Sequence, residues 1–348
     1  MTEPRDRQDE LGDGPRDGGG ALSAKDFKTD QEVRWCPGCG DYAILAALQS
    51  FMPELGIPRE NMVFISGIGC AARFPYYMET FGVHSIHGRA PAIATGLATS
   101  RPDLSVWVVT GDGDALSIGG NHLIHTLRRN VNLKILLFNN QIYGLTKGQY
   151  SPTSEMGKVT KSTPMGSIDH PFNPLSLAIG AEASFVARSI DTDRKHLTEV
   201  LRAAAAHKGT AFVEIFQNCN IFNDGAFDFV REDKDNRIYL EHGQQIVFGP
   251  EDDRKGVRQR PDGVAEIVPA DSEGLMVHDA HVPEPSQAFA LSRLTYATVG
   301  ATPIGVFRDI ARPVYDELMA EQIGRAQAEQ GPGNLDELLC SGETWTVG

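Results

Sequence analysis

The chain has 348 residues, is 41% hydrophobic and carries a formal net charge of −14. This length and apolar content suffice for a large core, and the acidic balance argues against a nucleic acid ligand. No apolar run approaches the about 18 residues that a membrane helix needs, and the first residues lack the apolar core of a signal peptide. We therefore expect a cytoplasmic protein without a membrane span.

The character of the chain changes twice along its length. Residues 1–22 are charged, rich in glycine and poor in apolar side chains, so this leader is predicted to be disordered. Residues 23–225 alternate apolar β-branched runs with helical patterns, which is typical of a mostly parallel, doubly wound α/β sheet. Residues 226–348 are richer in charge and glycine, and they are predicted to form a less regular C-terminal extension with a helix near residues 313–327.

Two cysteine-containing motifs come first in the folded part of the chain. Cys36-Pro-Gly-Cys39 precedes a run of strong helix formers at 43–51. A short strand at Met62–Ser66 then leads into Gly67-Ile-Gly-Cys-Ala-Ala-Arg73. This second motif also fits a loose dinucleotide-binding pattern, but it lacks the acidic residue about 20 positions later that would bind a ribose. Nicotinamide binding is therefore a minor alternative.

The stretch Leu104–Gly144 is predicted to form a strand, a loop, a helix and a second strand. The apolar run Leu104–Thr110 has the composition of a buried strand, and the helical pattern ends in two arginines. The parts, in order, are Leu104–Thr110, Gly111-Asp-Gly-Asp114, Ala115–Asn130, Leu133–Phe138 and Asn139-Asn140.

Two parallel strands joined by a crossover helix end at the same edge of a sheet. Asp112 follows the first strand and Asn140 follows the second, so their oxygens are predicted to share one space if the strands are neighbours about 4.8 Å apart. Such oxygens suit Mg²⁺, while glycines and a helix start suit a bound phosphate. The stretch therefore predicts a metal-bridged diphosphate, with two acidic turns of no special function as the alternative.

Four of the five cysteines are predicted to lie at that same edge. Cys36 and Cys39 form a C-x-x-C motif, and Cys70 and Cys219 each follow a predicted strand. Four converging thiolates can hold a [4Fe–4S] cluster. Structural zinc and a redox pair of the thioredoxin type are the alternatives, although the first usually needs two C-x-x-C motifs and the second leaves two cysteines unexplained. Cys340 is expected to be an ordinary buried cysteine.

These motifs together resemble the β subunit of the 2-oxoacid:ferredoxin oxidoreductases. The Gly-Asp-Gly and Asn-Asn pair resembles the thiamine diphosphate motif, and the resemblance spans about residues 35–229. The run Leu145–Gln149, Ser151-Pro-Thr-Ser154 and Gly305-Val-Phe-Arg308 are most similar to the 2-oxoglutarate branch. The resemblance implies the thiamine diphosphate-binding fold.

The resemblance also implies roles for individual residues. Asp112, Asn140 and the backbone carbonyl of Ile142 would hold Mg²⁺, and Arg73 would bind the substrate carboxylate, with Leu145 in the substrate pocket. The iron–sulfur ligands would be Cys36, Cys39, Cys70 and Cys219. The thiamine diphosphate site would be lined by Ile68, Gly69, Cys70, Ala71, His87, Gly111, Asp112, Gly113, Asp114, Asn139 and Asn140.

The implied reaction is the oxidative decarboxylation of 2-oxoglutarate with coenzyme A, which yields succinyl-CoA and CO₂. Thiamine provides the electron sink, and the cluster passes electrons singly to ferredoxin. No second thiamine-binding half is evident in the sequence, so an α subunit is expected in an α₂β₂ assembly. The alternatives are pyruvate or broad 2-oxoacid specificity, a non-oxidative thiamine enzyme, and a zinc-containing structural or binding subunit.

Overall fold

The computed structural model describes residues 22–347, so all but the last residue of the predicted disordered leader lie outside the described part. The main helices are α1 (Asp41–Phe51), α2 (Ala90–Ser100), α3 (Asp112–Leu116), α4 (Gly120–Arg129), α5 (Pro174–Gly180), α6 (Arg194–Ala206), α7 (Asp228–Arg231), α8 (Ser286–Ser292), α9 (Tyr296–Val299), α10 (Tyr315–Gln330) and α11 (Leu335–Leu339). Short 3₁₀ helices form at Met52–Leu55, Arg59–Asn61, Ala71–Tyr77, Lys234–Asn236 and Glu251–Asp253.

The strands are β1 (Met62–Ser66), β2 (Phe81–His84), β3 (Ser105–Gly111), β4 (Lys134–Asn139), β5 (Phe185–Ile190), β6 (Ala211–Phe216), β7 (Arg237–Leu240), β8 (Val247–Phe248), β9 (Lys255–Gln259), β10 (Ala265–Pro269) and β11 (Thr302–Asp309). Eight of them form one sheet in the order β2-β1-β3-β4-β6-β5-β11-β7, and β8, β9 and β10 form a small second sheet. In the main sheet β1 to β6 run parallel, while β11 is antiparallel to β5.

Helices cover both faces of the main sheet, which confirms the predicted doubly wound α/β fold. Alternate residues of β3 show this, because Val106 and Val108 enter one apolar core and Trp107 and Val109 enter the other. Such alternation follows from the two-residue period of a strand, and apolar residues on both faces produce the continuous apolar runs seen in the sequence. Helices α2, α4, α5 and α8 cover the first face, and α1 and α6 cover the second.

The predicted helix Ala115–Asn130 is wrong as a single element. The structure has two helices here, α3 and α4, separated by Ser117–Gly119. The backbone of Gly119 packs directly against Gly88, and a Cβ atom on Gly119 would lie 2.4 Å from the carbonyl oxygen of Asp114. The close approach of a neighbouring loop therefore breaks the helix, and only glycine fits there.

The chain after residue 225 joins the main sheet as well as forming irregular structure. Strands β7 and β11 pair with each other in parallel at one end of that sheet. Residues 320–347, which include α11, are exposed throughout. Cys340 lies in this segment and is exposed, so its predicted burial is wrong. Among residues 22–347, the structure contains no helix with the length and hydropathy of a membrane span.

Candidate active site

The predicted site residues follow four neighbouring parallel strands. The sheet places β1, β3, β4 and β6 side by side, so the condition that β3 and β4 are neighbours is met, with Gly111 opposite Phe138. Cys70, Asp112, Asn140 and Cys219 come at or just beyond the carboxyl ends of these strands. Parallel strands end at one edge, and this edge is where open α/β sheets bind ligands.

Asp112 is a buried carboxylate held by two hydroxyl groups. Its side chain accepts hydrogen bonds at Oδ2 from Ser151 Oγ at 2.5 Å and Thr153 Oγ1 at 2.6 Å. Burial raises the pKa of Asp112 to about 6, although the two hydroxyl groups act in the opposite direction. A buried carboxylate of this kind is stabilised by a cation.

The turn after β4 orients oxygen atoms at the same edge. The backbone N–H groups of Gln141 and Ile142 donate to the side-chain oxygens of Asn139 and Asn140, at 3.1 and 3.2 Å. Gln141 has a φ of +56°, a conformation that the local side-chain hydrogen bonds support. Within residues 22–347 no hydrogen bond reaches the carbonyl oxygen of Ile142. That oxygen is therefore available to a metal ion, and it is an oxygen donor of the kind that Mg²⁺ takes from proteins.

Gly113 is the glycine of this loop that the packing requires. The hydroxyl group of Tyr143 donates to the carbonyl oxygen of Gly113 at 3.1 Å. A Cβ atom on Gly113 would lie 2.1 Å from the ring of Tyr143. The aromatic ring thus lies directly on the backbone of the candidate phosphate loop, and any other residue would displace it.

Asp114 connects three loops at the carboxyl edge. Its Oδ1 accepts from the backbone N–H groups of Ile68 and Gly88, at 3.0 and 2.7 Å, and contacts His87 Nδ1 at 2.5 Å. Its Oδ2 accepts from Thr110 Oγ1 at 2.7 Å. The carboxylate is therefore occupied by protein groups, and it positions the predicted cofactor residues at 68–71 and His87.

The thiols of the candidate cluster site influence one another electrostatically. Burial raises the pKa of Cys39, Cys70 and Cys219, to about 12 for Cys70, and the nearby carboxylate of Asp41 raises all three further. Cys36 is exposed but close enough to add to the shift at Cys70. The raised pKa values mean that these groups are neutral thiols near pH 7, and ligation of a metal centre would release their protons.

Neighbouring groups hold these thiol-bearing loops together. Trp35 Nε1 donates to the carbonyl oxygen of Cys70 at 2.7 Å, and Gln217 Nε2 lies 3.2 Å from Cys39 Sγ. A Cβ atom on Gly144 would lie 3.5 Å from Cys219 Sγ and 3.6 Å from Cys70 Sγ. A side chain at Gly144 would therefore contact two of the thiols, so the loop after the metal turn lies beside them and the candidate metal and cluster sites are adjacent.

In the part of the chain that the structure describes, no three His, Cys, Asp or Glu side chains are grouped to hold one metal ion. A single tetrahedral zinc needs four sulfurs about 4 Å apart, because each zinc–sulfur bond is about 2.3 Å long. An iron–sulfur cluster is larger than one ion and spaces its ligands more widely.

Arg73 and Leu145 lie beside this edge, as the sequence indicates. The guanidinium group of Arg73 is half-buried and lowers the pKa of the Cys70 thiol, against the larger effect of burial. Within the described residues, the Arg73 side chain makes no ion pair or hydrogen bond. Leu145 is 44% exposed and follows Gly144, the glycine beside the Cys70 and Cys219 thiols.

Sequence reasoning missed Ser151 and Thr153 as site residues. Both residues lie in the polar segment 147–173, and a loop of this length is often functional. Sequence reasoning did not identify the hydroxyl contacts to Asp112. The cluster of hydroxyl residues in Ser151-Pro-Thr-Ser154 was the available signal.

Comparison with known proteins identifies the class of protein. Residues 67–215 match the thiamine pyrophosphate enzyme family, C-terminal TPP binding domain. The chain is 62% identical to 2-oxoglutarate oxidoreductase subunit KorB of Mycobacterium tuberculosis, over 93% of this chain and 88% of that protein. It is 43% identical to the 2-oxoacid:ferredoxin oxidoreductase subunit beta of Sulfolobus sp, over 67% of this chain and 78% of that protein.

A solved structure agrees with these relatives. The 2-oxoglutarate:ferredoxin oxidoreductase of Magnetococcus marinus, with 2-oxoglutarate, coenzyme A and succinyl-CoA bound, is similar with a TM-score of 0.74 and 34% identity. The match covers 93% of this chain and 97% of that chain. The chain belongs to the family of β subunits of 2-oxoacid:ferredoxin oxidoreductases.

Proposed function

We propose that this chain is the β subunit of an enzyme that oxidatively decarboxylates 2-oxoglutarate with coenzyme A, forms succinyl-CoA and CO₂, and reduces ferredoxin. The observation that carries the proposal is the position of the Cys70 and Cys219 thiols beside the loop that follows the Asp112 and Asn140 edge. A 2-oxoglutarate substrate is supported by the relatives from Mycobacterium tuberculosis and Magnetococcus marinus, which are both 2-oxoglutarate oxidoreductases.

The residues after β3 and β4 fit Mg²⁺ and thiamine diphosphate. The donor set would be a carboxylate oxygen of Asp112, the amide oxygen of Asn140 and the carbonyl oxygen of Ile142, all of the hard type that Mg²⁺ prefers. The backbone of Gly111 and Gly113 would approach the diphosphate. Thiamine diphosphate supplies the electron sink for the loss of CO₂, while this chain binds and orients the cofactor.

The thiols fit a [4Fe–4S] cluster. The proposal is supported by the position of Cys70 and Cys219 beside Gly144, where an added Cβ atom would lie 3.6 and 3.5 Å from their sulfurs. It is also supported by Gln217, which contacts Cys39 Sγ at 3.2 Å. The reaction removes two electrons from the substrate, and ferredoxin accepts them singly. Cys36 is exposed, so the cluster would be near the surface from which electrons leave.

Arg73 is the proposed carboxylate-binding residue. Its planar guanidinium group suits bidentate binding of a carboxylate, and within residues 22–347 it has no competing partner. Leu145, on the loop that follows the metal turn, would form part of the apolar wall of the substrate pocket.

A partner subunit is expected to complete the site. The loops around it expose the apolar side chains of Ile68, Ile86, Ile118 and Leu145, from 37% to 72%. Exposed apolar groups beside a site indicate a protein interface. We propose an α subunit there, in an α₂β₂ assembly. We place the enzyme in the cytoplasm, where cysteines remain reduced.

The proposal is tested with the complex of this chain and its partner subunit. We expect iron and acid-labile sulfide in equal amounts without zinc, and reduction of ferredoxin that requires both 2-oxoglutarate and coenzyme A. Cys70→Ser should lose the cluster, whereas the control Cys340→Ser in the exposed C-terminal segment should keep it. Zinc in place of iron, or faster reduction with pyruvate than with 2-oxoglutarate, would contradict the proposal.

A further inference from the structure

A buried ion pair lies in the middle of the main sheet, behind the candidate metal site. Arg188 of β5 and Glu214 of β6 face each other in register, with Arg188 Nε 2.7 Å from Glu214 Oε2. Their side chains are only 4% and 1% exposed. Replacing such a pair with apolar residues is often neutral or stabilising, so the pair calls for an explanation other than stability.

Hydrogen bonds connect this pair to Asp112. The second carboxylate oxygen of Glu214 accepts from Asn139 Nδ2 at 2.7 Å. Thr153 has a single hydroxyl proton, which it shares between Asp112 Oδ2 at 2.6 Å and Asn139 Oδ1 at 2.9 Å. All of these side chains are buried. The ion pair and the candidate Mg²⁺ ligand are therefore the two ends of one chain of contacts.

The donor and acceptor groups of Arg188, Glu214 and Asn139 allow only one orientation of the hydrogen bonds between them. A guanidinium group donates and never accepts, so Arg188 requires an acceptor on the facing side chain. The carboxylate of Glu214 accepts at both oxygens, so the NH₂ group of Asn139 must point toward it. The amide oxygen of Asn139 then faces Thr153 and the backbone N–H of Gln141.

We infer that Glu214, held by Arg188, is a positioning residue that orients the amide of Asn139 and thereby the Asp112 and Asn140 ligands of the Mg²⁺–thiamine diphosphate site. The inference rests on the proposed function. Glu214 acts on these ligands through Asn139, because among residues 22–347 its carboxylate is hydrogen-bonded to Asn139 and Arg188 and to neither Asp112 nor Asn140.

The variant Glu214→Gln reverses the polarity of this connection. Arg188 still needs an acceptor, so the glutamine turns its oxygen toward Arg188 and its NH₂ group toward Asn139. Two NH₂ groups then face each other, and the Asn139 amide must flip. The flipped amide presents NH₂ to the N–H of Gln141, which strains the metal turn.

Adding Arg188→Met to this variant removes the demand for an acceptor. Methionine also fits between the rings of Phe216 and Phe307, over which the guanidinium carbon lies at 4.8 and 5.7 Å. The glutamine is then free to turn its oxygen toward Asn139. If Glu214 merely filled space, removing Arg188 would not reverse the effect of Glu214→Gln.

The experiment measures how thiamine diphosphate binding depends on Mg²⁺ in the cofactor-free complex, by calorimetric titration at a series of Mg²⁺ concentrations. We expect Glu214→Gln to raise the Mg²⁺ concentration for half-maximal binding by about tenfold, the lower end of the effect of residues that orient metal ligands. The double variant Glu214→Gln with Arg188→Met should return to near the wild-type value.

The matched control is Asp193→Asn, which weakens the ion pair of another buried arginine, Arg237, whose Nη1 lies 3.0 Å from the partly exposed Asp193 carboxylate. It should leave the Mg²⁺ requirement unchanged. If Glu214→Gln does not fold, Asn139→Ala removes the same connection and should give the same rise. A wild-type requirement in Glu214→Gln or in Asn139→Ala, or no rescue in the double variant, overturns the inference alone. Wild-type protein without Mg²⁺-dependent binding overturns the proposed function as well.

Discussion

Removing the carboxylate of Asp114 should loosen the loops around the site. Its side chain is only 1% exposed and accepts hydrogen bonds from Ile68 N, Gly88 N, His87 Nδ1 and Thr110 Oγ1. The bonds to Gly88 and Thr110 are buried, whereas water can replace the carboxylate at Ile68 and His87. The effect of a substitution therefore depends mainly on the two buried donors.

The two variants Asp114→Ala and Asp114→Asn should lower the free energy of unfolding by different amounts. Alanine leaves the buried N–H of Gly88 and the hydroxyl of Thr110 without this partner, at about 2 kcal/mol each, so we expect a loss of about 4 kcal/mol. Asparagine keeps an oxygen for the N–H groups, and its NH₂ group donates to the Thr110 hydroxyl. It loses only the charge, so we expect a loss of about 1 to 2 kcal/mol.

Urea unfolding of the chain, followed by tryptophan fluorescence, measures these differences. The control Asp103→Ala removes a carboxylate that pairs with Arg101 on the surface, where both side chains are about half exposed, and should change stability by less than about 0.5 kcal/mol. Equal losses for the alanine and asparagine variants at Asp114, or a loss below about 1 kcal/mol for alanine, would refute the reasoning.

Two further predictions concern the positively charged side chains of Arg73 and Lys134. Arg73→Met should raise the KM for 2-oxoglutarate about 10- to 100-fold and change kcat less in steady-state assays, because it removes a charged hydrogen bond to the substrate. Burial lowers the pKa of Lys134 from 10.5 to about 8. Between about pH 8 and pH 10.5 the unfolded chain therefore keeps the Lys134 proton that the folded chain has lost, so the folded state becomes more stable as the pH rises. In urea titrations, the free energy of unfolding of the wild type relative to Lys134→Met should rise by about 3 kcal/mol between pH 7 and pH 10.5.

Each prediction about a cation has an exposed control. Arg101→Met removes a surface arginine and should leave the KM for 2-oxoglutarate unchanged. An equal KM effect at both arginines would show that Arg73 does not bind substrate. Lys195 is 90% exposed, so Lys195→Met should show no change with pH relative to wild type. A stability difference at Lys134 that falls with rising pH would have the wrong sign for a buried lysine.

Local patterns in the sequence determined the parts of the molecule and the chemistry that they carry. The strand Leu104–Thr110, the Gly111–Asp114 loop and the Asn139-Asn140 turn were predictable because strand periodicity and turn residues act over a few positions. The convergence of Cys70, Cys219 and Asp112 on one edge was predictable too, because parallel strands end together.

Only the tertiary structure decided which groups meet across the fold. The helix break at Ser117–Gly119 depends on a loop that approaches from Gly88, and the contact of Thr153 with Asp112 joins residues far apart in sequence. The Arg188–Glu214 pair exists because β5 and β6 are neighbours in the sheet, where β6 lies next to β4 and β5 lies beyond it, the reverse of their order in the chain. Such contacts depend on how all the elements pack together, and neither the two-residue nor the 3.6-residue period contains that information.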